Sequence, residues 1–450
     1  MSYRYKVATV FLLGFFIDCI NIFMSAIALP SIAAFFSVNP SITAWISNAY
    51  ILGLVLIMPI SLWLSSLMGY RKLLCFSMLL FSFSICFIGF STSIYSLIFW
   101  RFIQGLAGGL LIPVGQALVF GLFPNHERQR ISTLIMAIAL IAPAFSPTLG
   151  GIIVDTFSWR WVFFSNLPFS LLTACLAWYW VRDEQRQSDQ HPDFKGVILI
   201  NTGLLCLLLS FSFYTDLHHI FFAITSFAIS VLMLIVYLRH STHCHAPILN
   251  LQLLKNCNLR TAFIVYYAVP GIFTGVNLLN IFNLQFNLGF NAKQTGLFML
   301  LYASGAFISM TSGGILYHRL GKNTLFVIGI LLHSVGISLL FWVSSLSDLS
   351  ILIFAYLLMG LGGGLSANIA QISSLQDFKG QDLLQGSVLW NINRQVAFSI
   401  GTVVLLSIFS VLPISNSLMH YQYTFLIVAL LCAIALIFVW KEKPHESTNQ

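Results

Sequence analysis

Polar residues come in short bursts along this chain, separated by apolar runs of about 20 residues, the length that crosses a bilayer as a helix. The runs fall at 7–29, 42–64, 73–90, 97–120, 134–154 and 161–180, then at 196–214 and 220–238. Six more follow at 262–286, 296–316, 325–343, 351–372, 386–411 and 423–439. Polar linkers at 182–193 and 239–258 flank the seventh and eighth runs. The pattern predicts an all-α polytopic membrane protein with about fourteen spans.

Charge supports that count. With the N-terminus taken as cytoplasmic, the turns after even-numbered spans hold Arg71, Lys72, Arg128, Arg130, Arg182, Arg239, Lys255, Arg319, Lys322 and Lys379. The opposite side holds only Arg160 and Lys293. Such asymmetry places both termini in the cytoplasm of a plasma-membrane protein, the inner membrane in a bacterium. Arg4 and Lys6 before an apolar run, with Ala26-Ile27-Ala28 after it, imitate a signal peptide. Asp18 inside the run and Pro30 behind it favour an uncleaved first helix.

Of the 450 residues 58% are hydrophobic and 8% charged, and mean hydropathy is +0.90. Soluble chains carry about 25% charged residues. The net charge of +8 is spread over short loops and points to no nucleic acid. Cys75, Cys86, Cys175 and Cys432 lie in apolar segments and read as small buried groups.

The stretch FWRFIQGLAGGLLIP, 99–113, recurs as FAYLLMGLGGGLSAN, 354–368. Gly105, Gly108 and Gly109 match Gly360, Gly363 and Gly364, while Tyr356 and Met359 stand where Arg101 and Gln104 were. Gly69 in MGYRKLL matches Gly321 in LGKNTLF. Spans 2–4 then correspond to spans 10–12. This predicts a six-helix bundle over 1–182, two inserted helices over 193–238 and a second bundle over 257–441. Two parallel repeats with a midplane cavity are a transporter plan.

Among the acids only Asp18 falls at membrane depth, where a charge costs about 2.5–3.5 kcal/mol on insertion scales. Burial favours its neutral form and a nearby arginine its ionised form, so Asp18 with Arg101 is the expected proton-coupling pair. A permanent structural pair is the alternative. Gln104 shares the face of Arg101. Asn391, Arg394 and Gln395 share a face of span 13 and, with Asn21, Tyr266, Asn277 and Asn280, are the expected substrate-binding groups. Arg394 as an unpaired charge favours neutral or anionic amphiphiles. His240, His243, Cys244 and His245 are metal-binding types, but no partner cluster stands elsewhere in the sequence and no metal is expected. His333 reads as a core group. No phosphate-binding glycine loop is present, no cofactor is expected, and the chain does not read as an enzyme.

Five motifs in order resemble the major facilitator superfamily, and within it the fourteen-helix drug:proton antiporters. They are FIDCINIFMSAIALP with Asp18, Asn21, Leu29 and Pro30, the loop MGYRK with Gly69, Arg71 and Lys72, and Arg101-x-x-Gln104-Gly105. APAFSPTLGG with Pro143, Pro147, Gly150 and Gly151, and SWRWVFFSNLP over 158–168, complete the set. Ser66 replaces the loop's usual aspartate, and Ala142 and Ser146 replace two glycines. The resemblance implies a proton-coupled exporter of small amphipathic organic compounds working by alternating access. The expected partners are the substrate, protons and the lipid bilayer, without nucleic acid, and the sequence leaves the oligomeric state open, a monomer being one option. It also implies that Pro143, Pro147, Gly150 and Gly151 kink and thin the fifth span to seal one half against the other. A symporter taking up a metabolite is the alternative within transport, and a lipid-acting enzyme the alternative outside it.

Overall fold

The computed structural model describes residues 2–38, 40–182, 193–213, 220–244, 247–290, 292–414 and 416–441. The predicted linker at 182–193 lies, apart from its two ends, outside the described residues, as does the tail beyond 441. The described residues hold helices and no strand. In chain order they are α1 (Tyr3–Phe36), α2 (Pro40–Gly89), α3 (Ile94–Leu122), α4 (Asn125–Thr156), α5 (Trp159–Phe164), α6 (Leu167–Trp180), α7 (Phe194–Phe213) and α8 (Ile220–His243). Then come α9 (Cys257–Tyr266), α10 (Ile272–Phe282), α11 (Ala292–Leu339), α12 (Leu349–Leu375), α13 (Gly380–Val411) and α14 (Ser417–Lys441). Among the described residues, 12 helices are long and apolar enough to cross a membrane.

The predicted spans at 42–64 and 73–90 are two helices within Pro40–Gly89 that meet at Gly69, where φ is 75° and ψ 160°. Gly321 turns α11 in the same way, with φ 73° and ψ 163°. A side chain in this left-handed region is strained, so glycine is the residue that permits each turn. The ninth predicted span is interrupted. A π-helical turn over Tyr267–Gly271 contains Pro270, whose missing N–H breaks the α-helical ladder. A second π turn covers Asn283–Asn287. α13 starts six residues before its predicted start at 386, which sets Arg394 well inside the helix.

The chain divides into two compact units. The first comprises Met1–Glu127, Ile141–Leu253 and Phe378–Gln395, and the second Arg128–Leu140, Leu254–Asp377 and Val396–Gln450. Both α4 and α13 therefore contribute to each unit.

In the first unit α3 lies along α2, and glycines set the distance. A Cβ on Gly105 would strike the Tyr50 carbonyl, one on Gly109 the Leu54 carbonyl, and one on Gly53 the Phe102 carbonyl. Each obstacle is backbone, which no rotamer change removes. The α7–α8 hairpin packs against α2, and Ser230 Oγ donates to the Gly203 carbonyl at 2.8 Å.

In the second unit α11 and α12 meet through Gly305, Gly360 and Gly364, again against backbone. The Phe273 and Tyr302 rings stack at 3.8 Å inside a core that includes Tyr356 and Phe425. His333 is fully buried and its Nδ1–H donates to the Met359 carbonyl at 3.0 Å, the core role expected of it.

The glycines of α4 behave differently. A Cβ on Gly150 would meet Ile27 at 3.5 Å, an ordinary contact, and Gly151 has nothing within 4 Å. Gly105→Val is therefore expected to lose at least about 3 kcal/mol of stability, at the upper end of overpacking, whereas Gly151→Val stays near wild type. Thermal unfolding in detergent compares them, and equal midpoints would refute the backbone-contact account.

Candidate functional site

The first unit encloses a polar network between α1, α2, α3 and the first half of α13. Its charged members are Asp18, Arg101 and Arg394, 3%, 1% and 5% exposed. Water does not reach them, so protein groups must answer their hydrogen bonds.

Arg101 projects from α3. Its Nε donates to the Ile46 carbonyl at 3.2 Å. Nη1 donates to Asn21 Oδ1 and, at 2.7 Å, to Gln104 Oε1, and Nη2 donates to Ser25 Oγ at 3.0 Å. The guanidinium lies over the Tyr50 ring, 4.5 Å from its centroid, a favourable place for a desolvated cation. Neutral oxygens and an aromatic face thus hold this charge.

Asp18 takes a different partner. The Tyr50 hydroxyl donates to Asp18 Oδ1. Among the described residues no direct ion pair joins Asp18 to Arg101, which corrects the expected pair at the level of contact. Arg394 and Arg101 are both buried in the same network and act on Asp18 through space. Gly108 makes the room: a Cβ there would come within 2.5 Å of Asp18 Oδ1 and 2.9 Å of the Tyr50 hydroxyl.

α13 supplies the rest. Ser387 Oγ donates to the Pro113 carbonyl at 2.9 Å, and Asn391 Nδ2 donates to Gln116 Oε1 at 2.8 Å. One turn on, the Arg394 guanidinium lies 5.1 Å from the centroid of the Phe15 ring. Arg394 is buried against α1 and does not extend to an exposed helix end. Gln395 is buried one residue further on.

The fold thus brings Asp18, Asn21, Arg101, Gln104, Asn391, Arg394 and Gln395 into one unit. Tyr266, Asn277 and Asn280 belong to the other. There Asn280 Nδ2 donates to the Tyr356 hydroxyl at 2.9 Å, Tyr266 packs on Phe398, and Asn277 is half-buried with Oδ1 unbonded. Arg71 lies over the Trp178 ring at 4.8 Å, and Ser66 Oγ donates to the Trp63 carbonyl of its own helix at 2.8 Å. Lys72 is exposed. The side chains of Pro143 and Pro147 lie outside the described residues. Sequence reading missed Tyr50, Ser25, Gln116 and Ser387. Gln116 was visible as a second amide at membrane depth on the helix of Arg101, whereas nothing in the sequence singles out the Tyr50 hydroxyl.

A sequence profile described as Major Facilitator Superfamily matches residues 11–402 and 262–450. The chain is 26% identical over 396 residues to the Multidrug resistance protein B homolog of Mycobacterium tuberculosis, covering 86% of this chain and 72% of that protein. It is 25% identical over 451 residues to the Putative multidrug resistance protein MdtD of Escherichia coli, covering 96% and 93%. Among solved structures it resembles the human organic anion transporter MFSD10, with a TM-score of 0.71, 16% identity and coverage of 98% and 100%. It also resembles the proton:xylose symporter XylE, with a TM-score of 0.65, 14% identity and coverage of 98% and 96%. At these identities the two structures bear on fold alone.

Tyr50→Phe keeps the ring beneath Arg101 and removes the one hydroxyl bonded to Asp18. The buried carboxyl oxygen is left unanswered, and a loss of about 1–3 kcal/mol is expected. Unfolding midpoints in detergent measure it, and an unchanged midpoint would show that Asp18 does not depend on Tyr50.

Proposed function

The chain belongs to the major facilitator superfamily, whose members are transporters and not enzymes, and we propose that within it this protein is a proton-coupled antiporter exporting small amphipathic organic compounds by alternating access. The observation that carries the proposal is Asp18. It is the one acid among the described residues that is buried within an apolar membrane-crossing helix, and it shares its network with two arginines. When Asp18 is ionised, the Tyr50 hydroxyl and the fields of both guanidiniums hold it. Protonation removes its charge and leaves Arg101 and Arg394 unopposed. Arg101 cannot release its proton in this range, so the site answers by changing its packing. Arg394 lies on α13, a helix to which both units contribute, so the change acts on an element that they share.

The multidrug-resistance names of the curated relatives support the substrate class. A count of fourteen spans, in two six-helix halves with α7 and α8 inserted, is supported by taking α2 as two spans about Gly69 and by adding α4, 32 residues long. The same glycine spacing in α3 and α12 supports the repeat. The loop charges support cytoplasmic termini in a plasma membrane. Asn21, Gln104, Asn391, Arg394 and Gln395, with Tyr266, Asn277 and Asn280, are proposed as substrate contacts. Gly69, Arg71, Lys72, Pro143, Pro147, Gly150 and Gly151 are proposed as conformational elements.

In everted vesicles an acid interior is expected to drive substrate uptake by wild type and none by Asp18→Asn. Uptake by the variant against a concentration gradient would sink Asp18 as the coupling site.

Two guanidiniums face one carboxylate, so the network is never net negative. A cation placed 4 Å from Arg394 is repelled by about 4 kcal/mol at an effective dielectric of 20. Neutral and anionic amphiphiles are therefore expected to be exported in preference to cations of matched size, with the preference reduced in Arg394→Gln. Cation preference in wild type that the substitution leaves unchanged would overturn this selectivity.

A further inference from the structure

We propose that Asp193, His240 and Cys244 form a binding site for a divalent cation of the zinc class. His240 and Cys244 are four residues apart near the end of α8 and share a face. Asp193 comes from before α7, a position that the sequence does not connect with them. One ligand atom from each of the three lies within 4.8 Å of the others. Zinc sits about 2.0–2.3 Å from oxygen, nitrogen and sulfur ligands, so atoms this close can share one ion after small side-chain shifts.

The carboxylate supplies an independent sign. Asp193 Oδ1 has two partners, the Gly196 N–H at 2.8 Å, which makes it a helix cap, and His240 Nε2 at 2.8 Å. Capping and the pair with His240 use that one oxygen. Oδ2 is buried without a hydrogen-bond partner, on a side chain 6% exposed. A cap or an ion pair alone leaves this second oxygen unanswered, whereas a cation answers it.

Carboxylate, imidazole and thiolate together select zinc and its borderline neighbours over magnesium or calcium, which take oxygen ligands. With three protein ligands, water completes a tetrahedron. Among the described residues the group whose ligand atoms converge is Asp193, His240 and Cys244, and His243 is not part of it. On binding, Cys244 releases its thiol proton to solvent. The proton on His240 Nε2 is exchanged for one on Nδ1, freeing the Nε2 lone pair for the metal. No redox change is involved. The bound ion ties the start of α7 to the end of α8 and closes the hairpin.

The test uses the purified full-length protein in detergent with Co²⁺ alone as probe, followed by Zn²⁺. One equivalent of cobalt is expected to give a near-ultraviolet thiolate-to-metal band that zinc abolishes. Cys244→Ser is expected to lose the band and Cys257→Ser to keep it. Asp193→Asn preserves the helix cap and is expected to weaken binding by about 100-fold or more, beyond the 10–100-fold typical of outer-shell losses. A missing band, a band surviving Cys244→Ser, or unchanged affinity in Asp193→Asn overturns the site. Without any variant, one equivalent of zinc is expected to slow maleimide alkylation of Cys244, read by peptide mass spectrometry, and an unchanged rate also overturns it.

Discussion

A buried guanidinium must have its N–H groups answered, and Arg101 sets this requirement for the whole first unit. Its partners come from α1 through Asn21 and Ser25, from α2 through the Ile46 carbonyl, and from its own helix through Gln104. Only a close approach of the three helices lets one side chain reach all of them. The glycines of α2 and α3 permit that approach, and it also carries the Tyr50 hydroxyl to Asp18. Without the approach the arginine would be an uncompensated charge, and breaking such an arrangement costs about 3–5 kcal/mol.

The second unit meets the same packing requirement without the charge. Gly360 and Gly364 bring α12 onto α11, and Gly363 makes room for the Tyr302 hydroxyl as Gly108 does for that of Tyr50. Where the first unit has Arg101, the second has Tyr356, whose hydroxyl accepts from Asn280. A neutral phenol has one donor to satisfy where a guanidinium has five, so fewer helices need to converge. Among the described residues the network of Asp18 with Arg101 and Arg394 thus belongs to the first unit, although the glycine contacts in the two units are alike.

Much of this was legible from residue types alone. Apolar runs gave the helices, the lone acid at depth gave Asp18, and the repeated glycines gave the close pairs. What remained hidden depends on tertiary placement. Hydropathy treats Tyr50 as one more aromatic, and only the fold reveals the orientation of its hydroxyl. Sequence separation hid the approach of Asp193 to Cys244, since the α7–α8 hairpin lies between them. The pairing expected of Asp18 with Arg101 failed at the level of contact because charge counting omits neutral donors, and a tyrosine reached the carboxylate first.

The π turns at Tyr267–Gly271 and Asn283–Asn287 carry a consequence for how this chain can change over generations. Each accommodates one residue more than an α-helical turn within the same run, which amounts to an insertion absorbed without displacing the ends. Past each one, every side chain is rotated by about 100° relative to an uninterrupted helix of 3.6 residues per turn. Removing one residue there would restore an ordinary helix and leave Asn277 and Asn280 at their present bearing, whereas winding the same residues without the first bulge would swing both by that angle. The path from α9 to α10 therefore tolerates a change of length without re-aiming its side chains, and a row is re-aimed only where a bulge moves along the helix.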